Sequence, residues 1–225
     1  MARIEACVFD AYGTLFDVQA AARHLAARLG DRWQPLAEVW RAKQLQYTWL
    51  RALMGRYVDF WQVTGEALDH ALDAVGLADA GLREELMGLY ARLDAYPEVP
   101  QVLEALRARG LRLAILSNGA PEMLASAVEA AGVGGLLDAV LSVDEVGTYK
   151  PHPSVYRLAV DRFGLPAERM GFVSSNGWDA HAAKAFGYRV VWCNRHGLPR
   201  ERIPQAPDAE VRDLTALPDV LEGLA

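Results

Sequence analysis

Ile4-Glu5-Ala6-Cys7-Val8-Phe9-Asp10-Ala11-Tyr12-Gly13-Thr14-Leu15 runs from an apolar stretch onto a carboxylate and then into a glycine-containing turn. A short apolar run bounded by a turn reads as a strand buried on both faces. Asp10 at its tip is then a carboxylate on a rigid mount. Similar runs follow at 111–117, 139–143, 170–174 and 189–193, and helical patterns lie between them at 99–109, 121–131, 153–163 and 179–186. Strands alternating with helices predict an α/β fold built on a parallel sheet with both faces covered.

One stretch breaks the alternation. Residues 17–95 carry no convincing strand and read as four helices, roughly 18–29, 36–54, 59–75 and 81–93, holding four of the six tryptophans. This is a helical insert between the first strand and the rest of the sheet. The tail, about 199–225, reads as a surface return with a last strand near 210–213.

The bulk numbers narrow the classes. A chain of 225 residues, 52% hydrophobic, suffices for a sizeable core. The formal charge is −6 with both signs mixed along the chain, and no basic stripe suggests a nucleic-acid partner. No apolar run approaches a membrane span, and no charged segment followed by a long apolar one marks a secretion signal. The expectation is a cytoplasmic protein. Cys7 and Cys193 each lie in an apolar run, too few for a disulfide framework or a zinc site, and read as core thiols.

In open parallel sheets, ligands bind outside the carboxyl ends of the strands. Four segments put polar residues there: Asp10 to Leu15, Ser117-Asn118-Gly119, Tyr149-Lys150-Pro151-His152-Pro153 and Ser174-Ser175-Asn176-Gly177-Trp178-Asp179. Each alone is a weak signal, since a strand-end Asp is more often a helix cap. The four in this order, each after a predicted strand, resemble the four motifs of the haloacid dehalogenase superfamily. The likeness spans the chain, with the insert where many members carry a cap. It implies a Rossmann-like parallel sheet core at 1–16 and 96–225, with a helical cap at 17–95 inserted after the first strand. It also implies that Asp10 is a covalent nucleophile, that Ser117 binds charge, that Lys150 neutralises the carboxylates and that Asp179 belongs to the last, acidic motif.

Two departures point to a branch. Most relatives transfer phosphoryl groups, with a second Asp two residues after the nucleophile and a Gly-Asp pair that holds magnesium. Here those positions are Tyr12 and Ser174-Ser175. An alkoxide leaving group needs a proton, and a tyrosine with a reference pKa of about 10 supplies it poorly. A halide needs none. Asp-Ala-Tyr-Gly-Thr-Leu-Phe-Asp from residue 10 and Ser-Ser-Asn-Gly-Trp-Asp from residue 174 resemble the (S)-2-haloacid dehalogenase branch.

That branch implies hydrolysis of short 2-haloalkanoates without metal or other cofactor. Arg41 and Asn118 would receive the halide between apolar walls from Leu45, Phe60 and Trp178. Ser117 and backbone N–H groups near Tyr12 would hold the substrate carboxylate. Thr14, Ser174 and Asn176 would orient Asp10, Lys150 and a water activated by Asp179, and Tyr156 matches a tyrosine after the lysine motif. A homodimer through the Trp- and Leu-rich cap helices is also implied. Periodicity alone makes Arg41 a solvated helix residue, Phe60 and Trp49 packing residues, and Tyr156 either packing or functional. The five histidines show no ligand spacing. The rival functions are a magnesium-dependent phosphatase on the same scaffold and a non-catalytic binding protein.

Overall fold

The computed structural model describes residues 3–77 and 79–224. Met1, Ala2, Ala78 and Ala225, which the ranges 1–16, 17–95 and 96–225 include, lie outside the described residues. Six parallel strands form one sheet: β1 (Ala6–Phe9), β2 (Arg112–Ser117), β3 (Ala139–Ser142), β4 (Met170–Ser174), β5 (Arg189–Cys193) and β6 (Ala209–Val211). Their order is β3-β2-β1-β4-β5-β6. The chain winds outward from β1 to β3, then crosses back to lay β4 on the other side of β1. The crevice between the carboxyl ends of β1 and β4 is therefore the switch point, where such sheets place ligands.

The expected α/β core is present. Strands β1 and β4 are buried throughout, as near-continuous apolar runs require. Flanking helices are Val99–Ala108, Pro121–Ala130, Pro153–Phe163 and Gly177–Phe186. Proline fixes the first turn of the first three. The tail differs from expectation. Strand β6 ends at Val211 because Asp213 turns away to accept the Thr215 N–H at 2.8 Å. A further helix, Leu217–Gly223, buries Leu217 and Leu221.

Between β1 and the helix Val99–Ala108 the chain is helical, as expected, with shifted boundaries. The predicted 18–29 helix is two short ones, Ala20–His24 and Ala26–Leu29, parted where the Leu25 N–H turns to the Ala22 carbonyl. A long helix, Trp33–Met54, begins before 36, because Pro35 in a first turn forfeits no hydrogen bond. It packs on Phe60–Ala74, whose N-cap is Asp59. The last helix, Ala80–Tyr90, stops short of 93, so that the returning chain meets the outgoing one. Phe16 and Ala95 form an isolated antiparallel bridge, flanked by Asp17 N–H to Asp94 O and Tyr96 N–H to Leu15 O, both 2.9 Å. Among the described residues, no helix is long and apolar enough to cross a membrane.

Candidate active site

Asp10 lies one residue beyond β1, and the positive φ of Gly13 (+92°) lets the following turn fold back over it. One carboxylate oxygen accepts from Lys150 Nζ at 3.0 Å. The other accepts from Thr14 Oγ1 (3.0 Å), Asn176 Nδ2 (2.9 Å) and, more distantly, Ser174 Oγ (3.5 Å). Thr14 also accepts the Ser175 N–H at 2.8 Å, tying the turn after β1 to the turn after β4. Ser174 Oγ accepts the Asn176 N–H at 3.1 Å.

Lys150 is buried and shared. It donates to Asp179 at 2.8 Å as well as to Asp10, and lies 5.0 Å from the centre of the Phe172 ring. Burial favours the neutral amine, but the two carboxylates outweigh it and hold the Lys150 pKa above its ordinary value. Asp179 is wholly buried, and this burial raises its pKa. The Asp10 charge pushes the same way, and Lys150 and Tyr156 only partly offset them. Tyr156 donates to the free oxygen of Asp179 at 2.6 Å, so it faces the cluster instead of only packing. Tyr188 in turn donates to the Tyr156 carbonyl at 2.7 Å.

Ser117 ends β2 and Asn118 follows it. The Ser117 hydroxyl accepts the Gly119 N–H at 3.0 Å, and Asn118 Oδ1 accepts the Lys150 N–H at 3.0 Å, which leaves its amide nitrogen toward the cavity. Gly119 is required by contact: a Cβ there would lie 2.6 Å from the Tyr12 ring. Tyr12 is itself buried, and burial raises its pKa well above the ordinary value, which makes it a still weaker general acid.

The insert contributes the opposite wall. Arg41 reaches from the long helix Trp33–Met54 to the Tyr12 carbonyl (3.3 Å) and Asn176 Oδ1 (3.2 Å). It thus spans two strand-end turns and is no solvated surface residue. Leu45, Phe60 and Trp178 close a cavity of about 10 Å³ together with Asp10, Tyr12, Arg41, Ser117, Asn118, Lys150 and Asn176. That is near the room for one water. Thr14, Tyr156, Ser174 and Asp179 do not line it and stand behind the lining residues. A far larger groove, about 590 Å³, lies past Trp178 beside Trp49, Leu53 and Ile203, but no acid, lysine or arginine lines it. The chemistry belongs to the smaller space. Trp49 packs edge-on against Trp178 and lines the groove.

Two features escaped the sequence reading. Arg195 donates to the Thr14 carbonyl (2.8 Å) and to Glu98 (2.6 Å), bracing the first turn from behind. Gln44 accepts from Arg41 at 2.7 Å. A glutamine four residues after Trp40, on the apolar stripe of a helix, was the available signal.

Among the described residues, no group of three His, Cys, Asp or Glu side chains is placed to hold a metal ion. The space between the two acids is filled by the Lys150 ammonium, so the donor set does not fit magnesium.

A family model described as haloacid dehalogenase-like hydrolase matches residues 4–187. The chain belongs to the haloacid dehalogenase-like hydrolases. It is 46% identical to (S)-2-haloacid dehalogenase 1 of Pseudomonas sp. (strain CBS-3), over 97% of this chain and 96% of that one. It is 43% identical to haloacetate dehalogenase H-2 of Moraxella sp. (strain B), over 96% and 97%. Among solved structures, the L-2-haloacid dehalogenase from Xanthobacter autotrophicus with chloropropionic acid covalently bound superposes with a TM-score of 0.89 at 41% identity, covering 99% of this chain and all of that one. Within this hydrolase family the chain stands in the (S)-2-haloacid dehalogenase branch.

Proposed function

We propose that this enzyme hydrolyses short-chain (S)-2-haloalkanoic acids to (R)-2-hydroxyalkanoic acids through an ester on Asp10. The carrying observation is the cavity itself. A carboxylate gripped by Lys150 faces a guanidinium, with Tyr12 where a phosphatase carries its second Asp and the Lys150 ammonium between the two acids. The likeness to curated (S)-2-haloacid dehalogenases supports the same reading.

The substrate carboxylate sits at Ser117 and the N–H groups near Tyr12. An Asp10 oxygen attacks C2 in line. A C–O bond forms as the carbon–halogen bond breaks, and the halide leaves with its electron pair toward Arg41 and Asn118. Leu45, Phe60 and Trp178 keep water from the halide's path. Water then attacks the carboxyl carbon of Asp10, not C2. Asp179, whose raised pKa makes it a better base than an ordinary carboxylate, takes the water's proton and returns it to the departing alkoxide. Tyr156 and Lys150 fix Asp179, while Thr14, Ser174 and Asn176 fix Asp10. One inversion at carbon follows.

Residues 17–95 act as a cap on the core formed by 1–16 and 96–225. The exposed Leu50, Leu53 and Met54 on the long cap helix form the contact of a homodimer, and a light-scattering mass of two chains is the check. A cytoplasmic location suits the two buried free thiols.

Chloride release from (S)- and (R)-2-chloropropionate, with excess EDTA, tests the reaction. Release from the (S) form alone is expected, and single turnover in ¹⁸O water should leave label in Asp10. No release, with magnesium-dependent hydrolysis of an aryl phosphate instead, would overturn the proposal in favour of a phosphatase.

A further inference from the structure

Arg41 would be a poor halide acceptor if left to itself. It is a long, rotamer-rich side chain on a helix, and ordering such a chain costs roughly 1.5–2 kcal/mol. Behind it a polar chain runs between the two packed cap helices. Gln44 Oε1 accepts from Arg41 at 2.7 Å. Gln44 Nε2 donates to Thr64 Oγ1 at 2.8 Å and to Tyr90 OH at 3.0 Å. Thr64 Oγ1 donates to the Phe60 carbonyl at 2.6 Å. Gln44, Thr64 and Tyr90 are all buried, at 1%, 0% and 4% exposure.

The orientation of the Gln44 amide is set by Arg41 at one end and Thr64 at the other, while the Tyr90 hydroxyl can also donate to Gln44 Oε1 at 3.3 Å. The hydrogen of Thr64 is committed to the Phe60 carbonyl, so its lone pairs face Gln44. Only the amide nitrogen of Gln44 can answer them, and its oxygen therefore points at Arg41. A flipped amide would set nitrogen against guanidinium and oxygen against oxygen. Burying these groups in an apolar cap is costly unless every bond is made. Pinning one helix to the other already has a device that spares the site, the Trp40 indole N–H on the Thr64 carbonyl at 2.9 Å.

We infer that Gln44, oriented by Thr64, is a positioning residue that holds the Arg41 guanidinium where the departing halide must land; the inference rests on the dehalogenase reading above. The developing halide charge is met by a cation already in place, which is worth most in the transition state. The demand is greater for chloride than for the better leaving group bromide.

The test compares kcat and KM for (S)-2-chloropropionate and (S)-2-bromopropionate in Gln44→Met, Thr64→Val and Thr64→Ser, with chloride binding read separately by ³⁵Cl line broadening. A hydrogen bond to a charged group sets the scale. Gln44→Met should lower kcat on the chloro substrate by roughly 10- to 100-fold and on the bromo substrate by clearly less, with KM little changed. Thr64→Val should follow in the same direction more weakly, and Thr64→Ser, which keeps the hydroxyl, should recover the wild-type ratio. Equal losses on both halides, or a serine variant no better than valine, would overturn the inference and reduce Gln44 to a helix pin. If Gln44→Met does not fold, the Thr64 pair decides. A wild-type protein that releases no halide sinks the dehalogenase reading. Chloride broadening that survives Gln44→Met but vanishes in Arg41→Ala sinks this inference on its own.

Discussion

On the sheet side of the cavity, Asp10, Lys150 and Asp179 are held by bonds from turns that follow four different strands or their helices. On the helical side, Arg41, Leu45 and Phe60 ride on two packed helices, and within the cap the Arg41 guanidinium is braced by the Gln44 amide. The sheet side is a buried cluster with two acids and one base, expensive to assemble and fixed before substrate arrives. The helical side carries little buried charge and closes the cavity down to about 10 Å³. No haloacid fits in that space, so one side must yield, and the ion cluster is the side that cannot. The covalent chemistry is built on the rigid half and access on the adjustable half.

Breaking the rigid half should have the largest effects, and should separate activity from stability. Asp10→Asn removes the nucleophile and should cost turnover by roughly 10⁴-fold or more. It also leaves Lys150 paired with Asp179 and relieves the crowding of two carboxylates, so its melting temperature should equal or exceed that of the wild type. Lys150→Met should lose turnover too, but it strands two buried acids side by side and should cost about 3–5 kcal/mol of stability. Denaturant melts of the two variants check the contrast. Equal stability losses would mean that Lys150 is not what makes the cluster tolerable.

The next effect is tenfold per pH unit. Asp179 must be deprotonated to act as base, and its raised pKa places the acid limb of the single-turnover hydrolysis rate above its ordinary 3.8. Lys150 is raised above 10.5, so its loss of charge brings no alkaline fall below that pH. The stability signs follow from the same shifts. Folded Asp179 prefers its proton, so its contribution is full below pH 3.8 and is lost as pH rises through the raised value. The Lys150 contribution is full below 10.5 and disappears only above its folded value. Hydrolysis rates against pH, with Asp179→Asn as control, test the assignment; an acid limb at or below 3.8 would remove Asp179 from the role of base.

The two halves also differed in how far they could be read. Strand ends are fixed points of a parallel sheet, so Asp10, Ser117 and Ser174 could be set on one edge from apolar runs and turn residues alone. Lys150 and Asp179 needed the order of the segments as well. The cap resisted. A 3.6-residue stripe says that one helix face is buried but not against what, and Arg41 on periodicity alone belonged to solvent. Gln44 and Thr64 passed unnoticed because a buried polar residue shows its purpose only when its partners, twenty and forty-six residues away, are in place. The helix breaks at Leu25 and Ala91 follow from how the insert meets the core, which local propensity does not encode.

The smallest effect should sharpen the adjustable half. Two of the contacts between cap and core differ in kind. One is the Phe16–Ala95 bridge, where the outgoing and returning strands of chain cross side by side. The other lies across the cavity, where the Tyr57 hydroxyl donates to Asp144 and the Tyr149 hydroxyl donates to the Val58 carbonyl, with the two rings 4.8 Å apart. This second contact is a clasp: it joins side chains to loops and can open without breaking either helix pair. Tyr57→Phe keeps the ring packing and removes one hydroxyl bond, a change worth about 0.5–1.5 kcal/mol. If the clasp limits access to the cavity, turnover should rise by roughly twofold to fivefold where opening is slow, and KM should rise with it as the closed state loses its advantage. Steady-state kinetics with the chloro substrate, beside a melt, check this. A variant with unchanged kinetics and a lower melting temperature would show that the clasp only stabilises, and that access must come from side chains such as Trp178 turning toward the apolar groove instead of from the cap lifting away.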